Sequence, residues 1–106
     1  MRISLLLAVA TLFTVGSLWG QAPKQNWKDR AEYDLATSVE KATDNAKKIE
    51  LLNAWKQKYP TTDFQMNRLT YYLLAYAGLK QFDRVVETGS EILAIDPKNL
   101  QALYMI

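Results

Sequence analysis

The chain has 106 residues, one domain or less, with 13 Lys and Arg against 11 Asp and Glu, and neither cysteine nor histidine. Without cysteine there are no disulfides, thiol nucleophiles or cysteine metal sites. Without histidine the usual general base near neutral pH and the commonest metal ligand are gone. Ser-His-Asp and Cys-His catalysis and ordinary zinc sites are excluded, no cofactor is expected, and an enzyme would have to work with carboxylate, lysine or tyrosine. The near-even charge gives no general pull toward nucleic acid or anionic lipid.

Met1-Arg2 opens an uncharged run from Ile3 through Ala22 that ends in small residues. One positive charge, an apolar segment and small residues describe a secretory signal peptide at 1–20, with the cut near Gly20-Gln21. Export to a periplasm or the exterior is expected. About 20 apolar residues can also just span a bilayer, so an uncut leader would anchor the chain to the membrane. Residues 21–26, QAPKQN, read as a loose linker, and the folded region is expected over 27–106.

From Trp27 the pattern turns helical, with Ala31, Leu35, Val39 and Ala42 along one face and Lys28, Arg30, Glu32, Glu40 and Lys41 on others. Thr43-Asp44-Asn45 interrupts it with N-cap residues. A second helix is expected over about 46–59, with Ile49, Leu52 and Trp55 inward, stopped by Pro60. Its lysines, Lys47, Lys48, Lys56 and Lys58, make a solvated face. Thr61-Thr62-Asp63 offers capping oxygens for a third helix carrying Met66, Leu69, Tyr72, Leu73 and Tyr76 inward, with Gly78 as its stop. The next segment, QFDRVVETGSEILAIDPKN, is rich in strand formers. Strict alternation nevertheless fails at Val85-Val86 and Ile92-Leu93, whereas Phe82, Val85, Val86, Gly89, Ile92, Leu93 and Ile95 fit a helical stripe. A fourth helix is expected there, ended by Asp96-Pro97, with Asn99 capping a fifth.

Helical pairs thus recur with terminators Tyr59-Pro60 and Asp96-Pro97, 37 positions apart. A helix, a short turn, a second helix and a proline at this period resemble the tetratricopeptide repeat family, whose unit is about 34 residues. One unit spans 66–99, with the family's large first-helix residues at Leu69, Tyr72 and Tyr76, its second-helix aromatic at Phe82 and its closing Asp-Pro at Asp96-Pro97. A weaker unit spans 29–62, and 100–106 starts a third. Leu73, Val85 and Ile92 stand where the family keeps small residues, and Gly89 where a bulky one is common, which marks either an exchange that conserves core volume or a degenerate copy of the repeat.

The resemblance implies an all-α fold, antiparallel helical hairpins stacked as a short right-handed α-solenoid, and a scaffold or adaptor that binds a protein or peptide in a concave groove. By position, that groove is lined by Arg30, Tyr33, Thr37 and Glu40 from the first unit and by Asn67, Thr70, Leu74 and Ala77 from the second. The clamp with which some members hold a peptide carboxylate is absent, since Thr70 and Leu74 occupy its Lys and Asn positions. Tyr71, Tyr72 and Tyr76 read as core residues with hydroxyls reaching water. Glu87 and Glu91 lie adjacent on an exposed face, unlike the facing carboxyls of a glycosidase. A membrane contact is expected only through an uncut leader, and self-association only through the incomplete third repeat. The alternative to an adaptor is the N-terminal structural part of a larger exported repeat protein, with a carboxylate-based enzyme a distant third.

Overall fold

Two breaks that carry a proline, Pro60 and Pro97, and two short ones without, 42–44 and 79–81, divide the described part of the chain into four helices of 12 to 14 residues and a final one of 6. The computed structural model describes residues 25–106, so the signal peptide expected at 1–20 and most of the linker lie outside the described residues. Five helices follow in order: α1 (Arg30–Lys41), α2 (Asn45–Lys58), α3 (Gln65–Gly78), α4 (Phe82–Ile95) and α5 (Leu100–Met105). Each packs mainly on its neighbours in sequence, and the described residues contain no strand. No helix among them is long and apolar enough to cross a membrane. The strand-rich stretch is α4, as its apolar spacing requires.

Local chemistry sets most of the ends. Asp29, Asp44 and Asn99 cap α1, α2 and α5 by accepting the backbone N–H of Glu32, Lys47 and Ala102. One expectation is corrected and one refined. Thr61-Thr62-Asp63 does not cap α3, whose N-cap is Phe64 without a side-chain bond; Asp63 instead accepts the N–H of Asn26. The helix does end at Gly78, as expected, but the left-handed conformation that closes it falls two residues later, on Lys80 at φ 58°. There the amides of Lys80 and Gln81 close on the carbonyls of Ala77 and Tyr76 in a Schellman arrangement. Gly78 is small because the Asn45 amide lies where a Cβ would stand.

The hairpins α1–α2 and α3–α4 share a register: the second helices begin at Asn45 and Phe82 and end at Lys58 and Ile95, shifted by 37 positions at both ends. This offset aligns Glu32 with Leu69, Ala36 with Leu73, Leu52 with Gly89 and Trp55 with Ile92. The first core holds Ala36, Val39, Leu52, Trp55, Tyr59 and, from α3, Tyr72. The second holds Leu69, Leu73, Val85, Ile92 and Ala102. A small Ala36 beside a large Trp55 in one hairpin becomes Leu73 beside Ile92 in the other. Leu73, Val85 and Ile92 are all buried, as volume conservation between cores allows.

The buried line of α1 is Glu32, Ala36 and Val39, with Ala31 and Leu35 only partly covered, so the expected stripe is rotated by one residue and Glu32 leaves the solvated set. On α4 the buried line is Val85, Thr88, Gly89 and Ile92, while Phe82, Val86 and Ile95 are exposed. The apolar stripe read from sequence was wider than the contact face, and α3 and α5 cover only its middle. On α5, Leu100, Leu103 and Tyr104 face outward.

Gly89 is buried, and its gap is filled from α5: a Cβ there would fall 2.6 Å from Ile106 Cγ2. That methyl is the end of a half-exposed side chain and can move aside. Gly89→Ala therefore sets a propensity gain of about 1 kcal/mol against a small displacement, and should be near neutral in urea unfolding. Gly89→Leu cannot be accommodated by that shift and should lose about 1–3 kcal/mol through overpacking. Equal stability of the two variants would show that α5 does not seat on Gly89.

Candidate functional site

A polar clamp fixes α1 and so sets the surface that α1 and α3 present. Glu32 has no solvent exposure. Its carboxylate accepts the indole N–H of Trp55 at 2.9 Å and the backbone N–H of Lys28 at 2.7 Å. The Arg68 guanidinium lies 5.3 Å from the centre of the Trp55 ring and donates to the carbonyls of Tyr59 (2.7 Å) and Pro60 (3.0 Å). Tyr59 donates its hydroxyl to Asp29 at 2.6 Å. Trp27 stacks on Phe64 at 3.7 Å and meets Trp55 and Tyr33 at its other edges. Gln25 and Asn26 bond Asp63, so the end of the expected loose linker is tied to the α2–α3 turn.

The electrostatics follow from these contacts. Burial works against ionising Glu32, but the Thr62 hydroxyl, the Lys28 amide, the Trp55 indole and the Arg68 charge outweigh it and hold the carboxyl below its usual value. Asp29 is lowered too, first by the Tyr59 hydroxyl and then by the amide of Glu32. The same bond raises the Tyr59 phenol to about 12.

The eight groove residues expected from sequence are distributed unequally. Asn67, Thr70 and Leu74 come together with Met66 and Tyr71 around a shallow hollow of about 270 Å³ on the outer face of α3. Leu74 is 46% exposed. Thr70 turns its hydroxyl back to the carbonyl of Met66, while the Asn67 amide keeps its hydrogen-bonding capacity free. Tyr71 joins the hollow to α1: burial first, and then the charge of Glu40, raises its phenol. The remaining residues lie elsewhere. Arg30 pairs with Asp34 and lies over the ring of Tyr33, and Thr37 donates to the carbonyl of Tyr33. Ala77 packs against the second core rather than lining the hollow.

Sequence reasoning missed a second concavity. From the opposite face of α3, Arg68, Leu69, Tyr72 and Tyr76 floor a cleft of about 390 Å³. Lys56 stands on its α2 wall, and Arg84, Glu87, Thr88 and Glu91 on its α4 wall. Tyr72 and Tyr76 stack at 5.8 Å, and Tyr72 donates its hydroxyl to Asn53. The available signal was the spacing of 84, 87, 88 and 91, a single helical face carrying charge. Among the described residues no group of three or more acidic side chains could hold a metal ion.

Neither the protein-family models nor the curated proteins nor the solved structures compared with this chain give a match.

At the positions aligned by the 37-residue offset, the second core replaces the Glu32–Trp55 pair by Leu69 and Ile92. Glu32→Leu alone strands the Trp55 and Lys28 donors, an unsatisfied burial worth about 1–3 kcal/mol. Trp55→Ile alone leaves a cavity beside a carboxylate that has lost a partner. The double variant removes both faults, so it should be more stable than the sum of the singles by about 0.5–3 kcal/mol in a double-mutant cycle. Lowered pKa values of Asp29 and Glu32 mean that their stabilisation is present above pH 3.8 and 4.5 respectively, the ordinary values, and is lost as pH falls through the lower folded ones. The double variant should accordingly show a shallower acid loss of stability. An additive cycle with an unchanged acid limb would contradict the clamp.

Proposed function

We propose that the chain is an exported adaptor of the tetratricopeptide type that takes a protein or peptide segment on the outer face of α1 and α3. Three features support the reading: two helical hairpins in one register, a polar clamp that ties α1 to α2 and α2 to α3, and the hollow at Leu74. The hollow is the observation that carries it. Met66, Tyr71 and a half-exposed Leu74 offer an apolar seat, and Asn67 offers one amide that can pair with a peptide backbone group. That combination suits a segment with one large apolar side chain held by a single directed hydrogen bond.

Selection from a random phage-displayed peptide library gives the direct test. Enriched peptides should share a Leu-, Phe- or Met-like anchor. Leu74→Asp should weaken them at least about tenfold, roughly 1.4 kcal/mol, and Asn67→Ala a few-fold. Amide shifts on binding should centre on Met66, Asn67, Thr70 and Leu74. Shifts centred instead on Arg84 and Glu91 would remove the groove from this reading.

Export rests on the uncharged run from Ile3 to Ala22. On secretion, N-terminal sequencing of the soluble product should begin near Gln21. Intact Met1-Arg2 recovered from soluble cytoplasm would show that the leader is not used.

A further inference from the structure

The cleft between α2, α3 and α4 has the construction of a ligand site, and it lies across α3 from the hollow. Its volume of about 390 Å³ falls at the small end of ligand pockets, about 300–1,000 Å³. Its lining includes buried polar groups: Arg68 and Tyr72 on the floor are 4% and 7% exposed, and Thr88 on the α4 wall 6%. Thr88 is the informative one. Thr37, Ser38, Thr70 and Ser90 each turn the hydroxyl back to the carbonyl four residues earlier, as helical Ser and Thr ordinarily do. Thr88 lines the cleft and makes no such bond, and its oxygen is not sealed from solvent. A hydroxyl that solvent reaches and that has no internal partner is available to a ligand.

Charge selects the ligand's class. On the α4 wall Arg84 and Glu87 pair with each other at 3.5 Å. Arg68 is balanced by the carboxylate of Glu32 and held by two backbone carbonyls. Among the described residues, what remains is one cation without an ion-pair partner on the α2 wall, Lys56, and one such anion on the α4 wall, Glu91. A dianion would face Glu91 and Glu87, and a cation would face Lys56, Arg68 and Arg84. A neutral molecule with separated opposite charges satisfies both walls. Leu69 and Tyr76 leave room on the floor for an apolar side chain.

We propose that this cleft binds a small zwitterion, a free apolar α-amino acid or a dipeptide, with its carboxylate toward Lys56, its ammonium toward Glu91 and a polar atom on Thr88. The site is independent of the groove on the other face of α3, so either can fail without the other.

Isothermal titration of the intact chain with L-leucine and with glycyl-L-leucine tests it, with N-acetyl-L-leucine and L-leucinamide as derivatives lacking one charge each. Saturable binding with a millimolar or lower Kd is expected for at least one zwitterion, and binding at least about tenfold weaker for both derivatives. The zwitterion preferred identifies the size of the ligand. Lys56→Met should weaken the zwitterion about tenfold and leave leucinamide unchanged, and Glu91→Gln should do the same with N-acetyl-leucine unchanged. Thr88→Val, nearly isosteric and checked for native helicity by circular dichroism, should weaken the zwitterion several-fold. No saturable binding of either zwitterion, equal binding of the blocked derivatives, or loss of binding in Leu74→Asp but not in Lys56→Met and Glu91→Gln would each overturn the assignment.

Discussion

A carboxylate with no solvent exposure must be satisfied by protein groups or lose its charge, and Glu32 is satisfied. The demand organises the first hairpin. Glu32 needs two donors, and it takes them from Trp55 on α2 and from the amide of Lys28 just ahead of α1. Trp55 is thereby fixed in the plane that lets Arg68 lie over its ring from α3. Arg68 in turn gathers the carbonyls of Tyr59 and Pro60, where α2 ends. Three helices and two chain breaks are thus coupled through one carboxyl group. Asp29 caps α1 with the same oxygen that accepts the Tyr59 hydroxyl, so the start of α1 and the end of α2 are held at a single atom.

The second hairpin fills the same positions without any of this chemistry. Where the first has Glu32 and Trp55, the second has Leu69 and Ile92; where the first has Leu52, the second has Gly89. An apolar core of that kind needs volume rather than partners, and Leu73 and Val85 supply it. The space at Gly89 is closed from α5 by Ile106, not by the larger residues of its own hairpin. Leu73, Val85 and Ile92 are buried, as the volume exchange expected from sequence requires, but the space at Gly89 serves a different contact and does not compensate for them. The two cores also meet. Tyr72 belongs to α3 by sequence but to the first core by packing, and its hydroxyl bonds Asn53 on α2.

Most of the helices were legible in the sequence because each carries its own stop and start. Pro60 and Asp96-Pro97 mark ends, Asp44 and Asn99 mark beginnings, and the broken alternation in the fourth helix excludes a strand. The rotation of α1 was not legible from α1 itself. Ala31, Leu35, Val39 and Ala42 form a regular apolar line, and a charged residue beside it reads as solvated. The signal lay in the other hairpin, because the 37-residue offset places Glu32 on Leu69, an inward position. Phe82, Val86 and Ile95 were misassigned for the opposite reason: their apolar character is plain, but what covers them depends on neighbours that spacing does not specify. The hollow on α3 was legible in part for a related reason. Asn67, Thr70 and Leu74 share one helix and one face, so spacing alone brings them together. Arg30, Tyr33 and Thr37 sit on α1, and where α1 lies relative to α3 is decided by the clamp.

That clamp also explains why α3 can present two different concave surfaces. Its inward residues are divided between cores, Tyr72 to the first and Leu69 and Leu73 to the second, so neighbouring helices grip it along two lines. Between those lines one side keeps Met66, Asn67, Thr70 and Leu74 in a mainly apolar hollow. The other keeps Arg68, Tyr72 and Tyr76 under the charged walls of α2 and α4. A helix held in this way has little freedom to rotate, because turning it to deepen one surface would pull Tyr72 from Asn53 or Arg68 from the carbonyls at the end of α2. Both surfaces are therefore preorganised by the same contacts, and preorganisation reduces the ordering that binding must impose. The polar chemistry of the first hairpin, which an apolar core could have replaced, gives α3 a fixed orientation that packing alone would leave less specific.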